Sequence, residues 1–266
     1  MENKTAIVTG GSSGIGLAIC ERLLAEGMQV HAISRNPDRM RKMDLLRPVE
    51  LDLSDLDAVA RYGKSFIDEN GTPDLLVNNA GYGAFYEWEK FPEDEIIRQT
   101  AVLFSAPALL CKSFAPHMKK SGKGTIVNVT SLATLFPLPY MPLYNAGKSA
   151  LSSFTQSLML EYPEYPRLID FRSGDVRTSF NRTAPKQAES EQSQSMKRAW
   201  EKIESQLEES PVRESVVRQL FKILKKDRSG VFYGGGFFES RITPLLHRIL
   251  PDKILRIALK IRYGLS

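Results

Sequence analysis

Tyr144 and Lys148 stand four apart in the run Tyr144-Asn145-Ala146-Gly147-Lys148, inside strongly helical sequence. Residues at that spacing share one helix face. A phenol held beside an ammonium points to an acid–base group. A free tyrosine titrates near about pH 10, and a neighbouring cation favours the phenolate and draws that value toward the working range of an enzyme. Ser131 ends the strand-like run Thr125-Ile126-Val127-Asn128-Val129-Thr130 and can set a hydroxyl beside the phenol. Alone, such a Tyr–Lys pair is common on solvated helix faces. Its weight comes from the elements around it.

The first of these is a β-branched run, residues 5–9, that breaks into Gly10-Gly11-Ser12-Ser13-Gly14-Ile15-Gly16 and then into a helical pattern reaching Gly27. Strand, glycine turn and helix are the setting of a phosphate-binding loop. Gly10 permits the tight turn, Gly14 lets a pyrophosphate approach the backbone, and Gly16 lets the helix lie close to the strand. The helix N-terminus offers unpaired N–H groups and the positive end of its dipole, and Ser12 and Ser13 can add hydroxyl donors. A second strand, 29–33, ends at Ser34-Arg35. An acid there would hold a ribose 2′-hydroxyl and repel a 2′-phosphate, whereas the Arg35 guanidinium can fork onto that phosphate. The pattern favours NADP(H) over NAD(H), with a plain surface role for Arg35 as the alternative.

Residues 49–53 are read as a third strand, with Asp52 and Leu53 at its C-terminal edge. Asp52 can accept from an adenine amino group there, or cap the next helix, for which Ser54 is at least as good. A helix over 55–69 and a strand over 74–77 lead into Asn78-Asn79-Ala80-Gly81. Small residues there let a nucleotide lie against the strand end, and the Asn amides can pin neighbouring strands. A long helical stretch over 93–120, with a break near Pro107, precedes the strand that carries Ser131. The Tyr144/Lys148 helix runs to about Glu161, then come a strand over 167–171 and Ser173-Gly174-Asp175-Val176-Arg177-Thr178. Residues 180–210 turn polar around Trp200 and Ile203 and are read as a partly helical lid, or else as a disordered insertion. A helix over 211–226 and a strand over 230–234 complete the alternation, which implies right-handed crossovers and a parallel sheet.

Composition sets outer bounds. The 266 residues suit one α/β domain, and 42% hydrophobic with 25% charged residues is ordinary for a soluble protein. Cys20 and Cys111 sit in apolar helical patterns, as reduced buried thiols would, and no metal-ligand pattern is present. No signal-peptide pattern precedes the first strand and no apolar run has membrane-spanning length, so the expected location is cytoplasmic. A net charge of +5 suits an anionic cofactor and does not argue for nucleic acid.

Together, Thr9-Gly10-x-x-x-Gly14-Ile15-Gly16, Asn78-Asn79-Ala80-Gly81, Ser131 and Tyr144-x-x-x-Lys148, in that order and spacing, resemble the short-chain dehydrogenase/reductase family over about residues 4–240. The resemblance implies one α/β, Rossmann-like, doubly wound parallel domain in three layers, with seven strands ordered 3-2-1-4-5-6-7. It implies a hydride exchanged between NAD(P)(H) and a carbonyl or alcohol substrate. Tyr144 would be the general acid/base, Lys148 would lower its pKa and hold the nicotinamide ribose, and Ser131 would orient the substrate oxygen. Asn79, Ala80 and Gly81 would line the adenosine side, and Val176 and Thr178 would meet the carboxamide. Pairing through the helices around 93–120 and 142–161 would give a homodimer or homotetramer.

Two positions depart from the family. Leu103 falls where an Asn usually holds a water that relays protons to the lysine, so Ser105 or a backbone carbonyl must hold it instead, or the protein is a slow enzyme or a silent NADP-binding, redox-sensing module. Ser173-Gly174 replaces the usual Pro-Gly, which is expected to loosen that loop. Past the family core, in the extension 241–266, Ile254, Leu255, Ile257, Ala258, Leu259 and Ile261 form one helix face opposite Lys253, Arg256 and Lys260. That face is read first as docking on its own domain, with a second subunit or an anionic bilayer as alternatives. The bilayer alternative would make a membrane-peripheral reductase of lipid-like ketones.

Overall fold

The structure, a computed structural model, describes residues 4–178 and 184–265. The start of the polar segment expected over 180–210 lies outside them. Seven parallel strands form one sheet in the order β3-β2-β1-β4-β5-β6-β7. They are β1 (Thr5–Thr9), β2 (Gln29–Ser34), β3 (Leu46–Glu50), β4 (Leu75–Asn78), β5 (Thr125–Ser131), β6 (Arg167–Ser173) and β7 (Gly230–Gly234). The central strands are apolar on both faces because helices cover both, as right-handed crossovers require. On one face α1 (Gly14–Ala25) and α7 (Arg213–Leu224) pack with Ala6, Val8, Val30 and Val127. On the other, α2 (Leu56–Asn70), α4 (Ala106–Ser121) and α5 (Pro142–Glu161) pack with Ile7, Leu76, Ile126 and Leu168.

Three boundaries differ from the sequence reading. β3 starts three residues earlier than expected and ends at Glu50, so Asp52 and Leu53 lie beyond it, not on it. Pro48 reads as a strand breaker, but β3 is an edge strand, where a missing N–H is tolerated. The cap of α2 is Asp55, which accepts from the Ala58 N–H at 2.9 Å, rather than Asp52 or Ser54. The break in the long helix is a π-turn at Ala101–Ser105 between α3 (Glu93–Thr100) and α4, with Pro107 already in the first turn of α4. Proline has no N–H for the residue 103 carbonyl and its ring crowds that carbonyl, so the distortion falls in the preceding turn.

Beyond the core, α6 (Gln194–Glu209) is capped by Ser193 and buries Met196, Ala199 and Ile203 against Phe85 and Met141. Helices α8 (Thr243–Ile249) and α9 (Asp252–Arg262) end the chain; the docking expected of the whole apolar face of α9 is not observed, since Leu255 is buried and Leu259 and Tyr263 join the α6 cluster while Ile254, Ile257, Ala258 and Ile261 stay exposed. The thiols of Cys20 and Cys111 are free, and burial pushes both up to about 12.

Candidate active site

The sheet order reverses between β1 and β4, which opens a crevice beyond the strand C-termini where ligands bind in open α/β sheets. Buried amides fix its floor. Asn78 Nδ2 on β4 donates to Asn128 Oδ1 on β5 at 2.8 Å, and Asn128 Nδ2 donates to Thr155 Oγ1 on α5 at 2.8 Å. Asn79 Nδ2 donates to the Thr9 carbonyl at 3.0 Å, while the Asn79 and Ala80 N–H groups donate to Thr9 Oγ1. These bonds pin β1, β4 and β5 together, as the Asn pair suggested.

One cleft is lined by Gly10, Ser12, Ser13, Gly14, Ile15, Arg35, Asp52, Leu53, Asn79, Ala80, Gly81, Ser131, Tyr144, Lys148, Val176 and Thr178. Gly16 alone among the residues expected from sequence lies off its wall. A Cβ there would meet the Gly10 carbonyl oxygen at 2.2 Å, so Gly16 serves the contact of α1 with the turn.

One end of the cleft fits a dinucleotide pyrophosphate. Gly10 and Gly14 take φ of +69° and +55°, a region costly for other residues. A Cβ on Gly10 would meet Ala80 Cα at 3.0 Å. Ser13 makes no side-chain cap, so the first N–H groups of α1 remain available to an anion. Next to this turn the exposed Arg35 stands at the end of β2. Asp52 accepts from Ser54 N and Oγ at 2.9 and 2.8 Å. Burial works to raise its carboxyl, but those bonds and the Arg35 and Arg98 charges outweigh burial and hold it below its ordinary value. Arg98, from α3, lines the cleft and was missed in the sequence, where nothing separates it from the other surface charges of an amphipathic helix.

The other end holds the chemical groups. Tyr144 sits in the first turn of α5, Lys148 in the second, and Ser131 at the tip of β5. The Ser131 hydroxyl hydrogen-bonds the phenol. Burial nevertheless pushes the phenol up to about 12, with Asp175 adding to the rise. The acidification expected from the Tyr–Lys spacing is therefore not produced by the protein's own groups. Lys148 Nζ lies 6.0 Å from the phenol ring centre and donates to the Val129 carbonyl oxygen at 2.7 Å. Burial draws this ammonium down to about 8, and Asp170 works against the fall. Asp170 is fully buried and accepts from Thr130, from Ser152 Oγ at 2.7 Å and from Arg172 Nε at 3.0 Å.

Leu103, in the π-turn, is fully buried beside this lysine. A Cβ on Gly147 would meet Leu103 Cβ at 2.7 Å, and one on Gly81 would meet Leu103 Cδ2 at 3.0 Å and Lys148 Nζ at 3.3 Å. The loop after β6, expected to be loose, is tied by Glu239, which accepts from Asp175 N at 3.2 Å and Gly236 N at 3.0 Å. Leu138, Met141, Ile203 and Leu207 give the cleft an apolar wall near Tyr144.

The model of the family described as short chain dehydrogenase matches residues 4–206. A 3-ketodihydrosphingosine reductase of Bacteroides thetaiotaomicron is 26% identical over 286 residues, covering 100% of both chains. An uncharacterized oxidoreductase of Schizosaccharomyces pombe is 36% identical over 159 residues, covering 59% of this chain and 54% of that one. Among solved structures, a short-chain dehydrogenase from Streptomyces avermitilis superposes with a TM-score of 0.81 at 22% identity, covering 99% of this chain and 97% of that one. A metagenomic short-chain oxidoreductase in complex with NADP superposes with a TM-score of 0.62 at 32% identity, covering 66% and 83%.

Proposed function

Because this chain belongs to the short-chain dehydrogenase/reductase family and is an NAD(P)-dependent oxidoreductase, we propose that it reduces a ketone or aldehyde of apolar body with NADPH, Tyr144 being the proton donor. NADPH, when bound, supplies the hydride that the carbonyl carbon takes up. Tyr144 then gives its proton to the carbonyl oxygen, and Ser131 holds that oxygen by a hydrogen bond. Lys148, braced by the Val129 carbonyl, presents an ammonium that restores a proton to the phenol side of the site.

The observation that carries this reading is the hydrogen-bonded Ser131–Tyr144 pair on the wall of the cleft that also holds the glycine turn. A phenol titrating near about 12 keeps its proton at neutral pH, which favours reduction over oxidation. Arg35, exposed at the cleft, supports the 2′-phosphorylated cofactor. The groove between α4 and α5, where Phe104, Leu109, Phe154 and Leu158 are grouped, supports pairing with a second copy.

The test is NADPH oxidation across a panel of ketones and aldehydes that includes 3-ketodihydrosphingosine, the ketone in the name of the relative matched over its full length. Turnover of apolar ketones is expected. Tight NADPH binding with no turnover of any carbonyl would instead favour a silent binding module, the reading that Leu103 supports.

A further inference from the structure

The apolar stripe of α9 is divided. Leu255 and Tyr263 are buried, at 8% and 4% exposure, and Tyr263 and Leu259 join the α6 cluster. Ile254, Ile257 and Ile261 remain 49%, 50% and 65% exposed. At about 3.6 residues per turn these three fall on the side of the helix opposite the buried set. Lys253, Arg256 and Lys260 fall between the two sets, so a basic stripe borders the exposed apolar arc. The arc belongs to a fixed helix: Arg262 donates to Gln206 Oε1 of α6 at 2.8 Å, and Arg198 of α6 donates to the Gly264 carbonyl at 3.0 Å. Leu245 and Ile249 of α8 and the preceding Phe237 and Phe238 are also more than half exposed. Scattered exposed apolar residues need no explanation, but a concentration in one terminal segment does.

We propose that this surface docks on an anionic lipid bilayer, with the apolar arc in the interface and the basic stripe on the headgroups. Charge complementarity selects this occupant. Residues 237–266 carry six Lys or Arg against two acids, and one of those, Glu239, is engaged inward with Asp175 N and Gly236 N. Two copies meeting about a twofold axis would set these cations against each other with only Asp252 on each copy to offset them. An anionic surface offsets them all, at a gain that accumulates with each basic residue near it. Among the described residues no helix is long and apolar enough to span a membrane, so the contact is interfacial. Because α6 carries Ile203 and Leu207 on the cleft wall, docking would hold the cleft beside the lipid. The proposal does not depend on the activity assigned above.

The test is flotation of the full chain with vesicles of phosphatidylcholine alone or mixed with phosphatidylglycerol. Binding to the mixed vesicles is expected to be tighter by about tenfold or more, and to fall as salt rises. The triple variants I254S/I257S/I261S and K253Q/R256Q/K260Q should each lose it with thermal midpoints unchanged. Equal partition onto both vesicle types, no binding by the wild type, or variants that float like the wild type would overturn the proposal. So would a wild-type dimer that ignores vesicles and becomes monomeric in the serine variant, which would make the surface an interface between copies.

Discussion

The Lys148 ammonium donates to the Val129 carbonyl oxygen at 2.7 Å, with the side chain of Leu103 packed beside it. The lysine thus has a backbone partner on the sheet where the family usually offers a helix amide and a water. Replacing Leu103 by Asn should therefore not raise turnover by more than about threefold, and should cost about 2–4 kcal/mol of stability as a buried apolar side chain is lost. Thermal denaturation and steady-state rates measure both. A large gain in turnover would mean that the missing amide limits the wild type.

Lys148 titrates near about 8, so a proton supply through it fails above that value. The reduction rate should be level below neutrality and fall as pH rises through about 8. Asp170 works to keep this lysine charged, and Asp170→Asn retains the acceptor oxygen while removing the charge. It should move the alkaline limb to lower pH by about one unit, which a purely structural loss would not do. An unmoved limb would remove Asp170 from the proton supply.

Asp175 is half-buried in the cleft, and burial with the Glu239 charge raises its carboxyl from 3.8 to about 6. A raised folded-state pKa adds stability that is complete below the unfolded value and lost as pH rises from about 4 to about 6. Asp175→Asn should therefore stabilise the fold at pH 8, by about 1–2 kcal/mol after allowing for partial exposure, with little effect near pH 4. Thermal midpoints at the two values check this. The same variant should ease ionisation of Tyr144, whose rise Asp175 reinforces.

Arg35→Ala should weaken NADPH about 10- to 100-fold, the worth of a charge-assisted pair with a phosphate, and leave NADH nearly unchanged. Titration of both cofactors by fluorescence measures this. Equal preference in both proteins would refute the assignment to Arg35.

The positions of the cleft residues were legible because strand, glycine turn and helix leave strong local marks, and strands β1, β2, β4 and β5 are short runs rich in apolar and β-branched residues. Gly10, Gly14, Ser131 and Tyr144 come together because each ends or follows such a run. What was not legible depends on neighbours distant in sequence. Pro48 looks like a breaker until β3 is known to be an edge, and Pro107 marks a distortion that falls four residues before it. The raised pKa of Tyr144 follows from burial, which the Tyr–Lys spacing does not reveal. Asp170 gave no sign, since a carboxylate inside a strand is interpretable only when Thr130, Ser152 and Arg172 are seen around it. The sequence also joined Ile254 and Leu255 in one stripe, although the fold buries only Leu255 of the two.

The most direct measurement is single-turnover reduction of a ketone by NADPH in the wild type and in Tyr144→Phe, with NADPH affinity measured on the same preparations. If the phenol gives its proton to the substrate oxygen, the hydride step should slow by about 100- to 10,000-fold while NADPH binds as before. A Phe variant that reduces the ketone within a few-fold of the wild-type rate would contradict the proton-donor role of Tyr144.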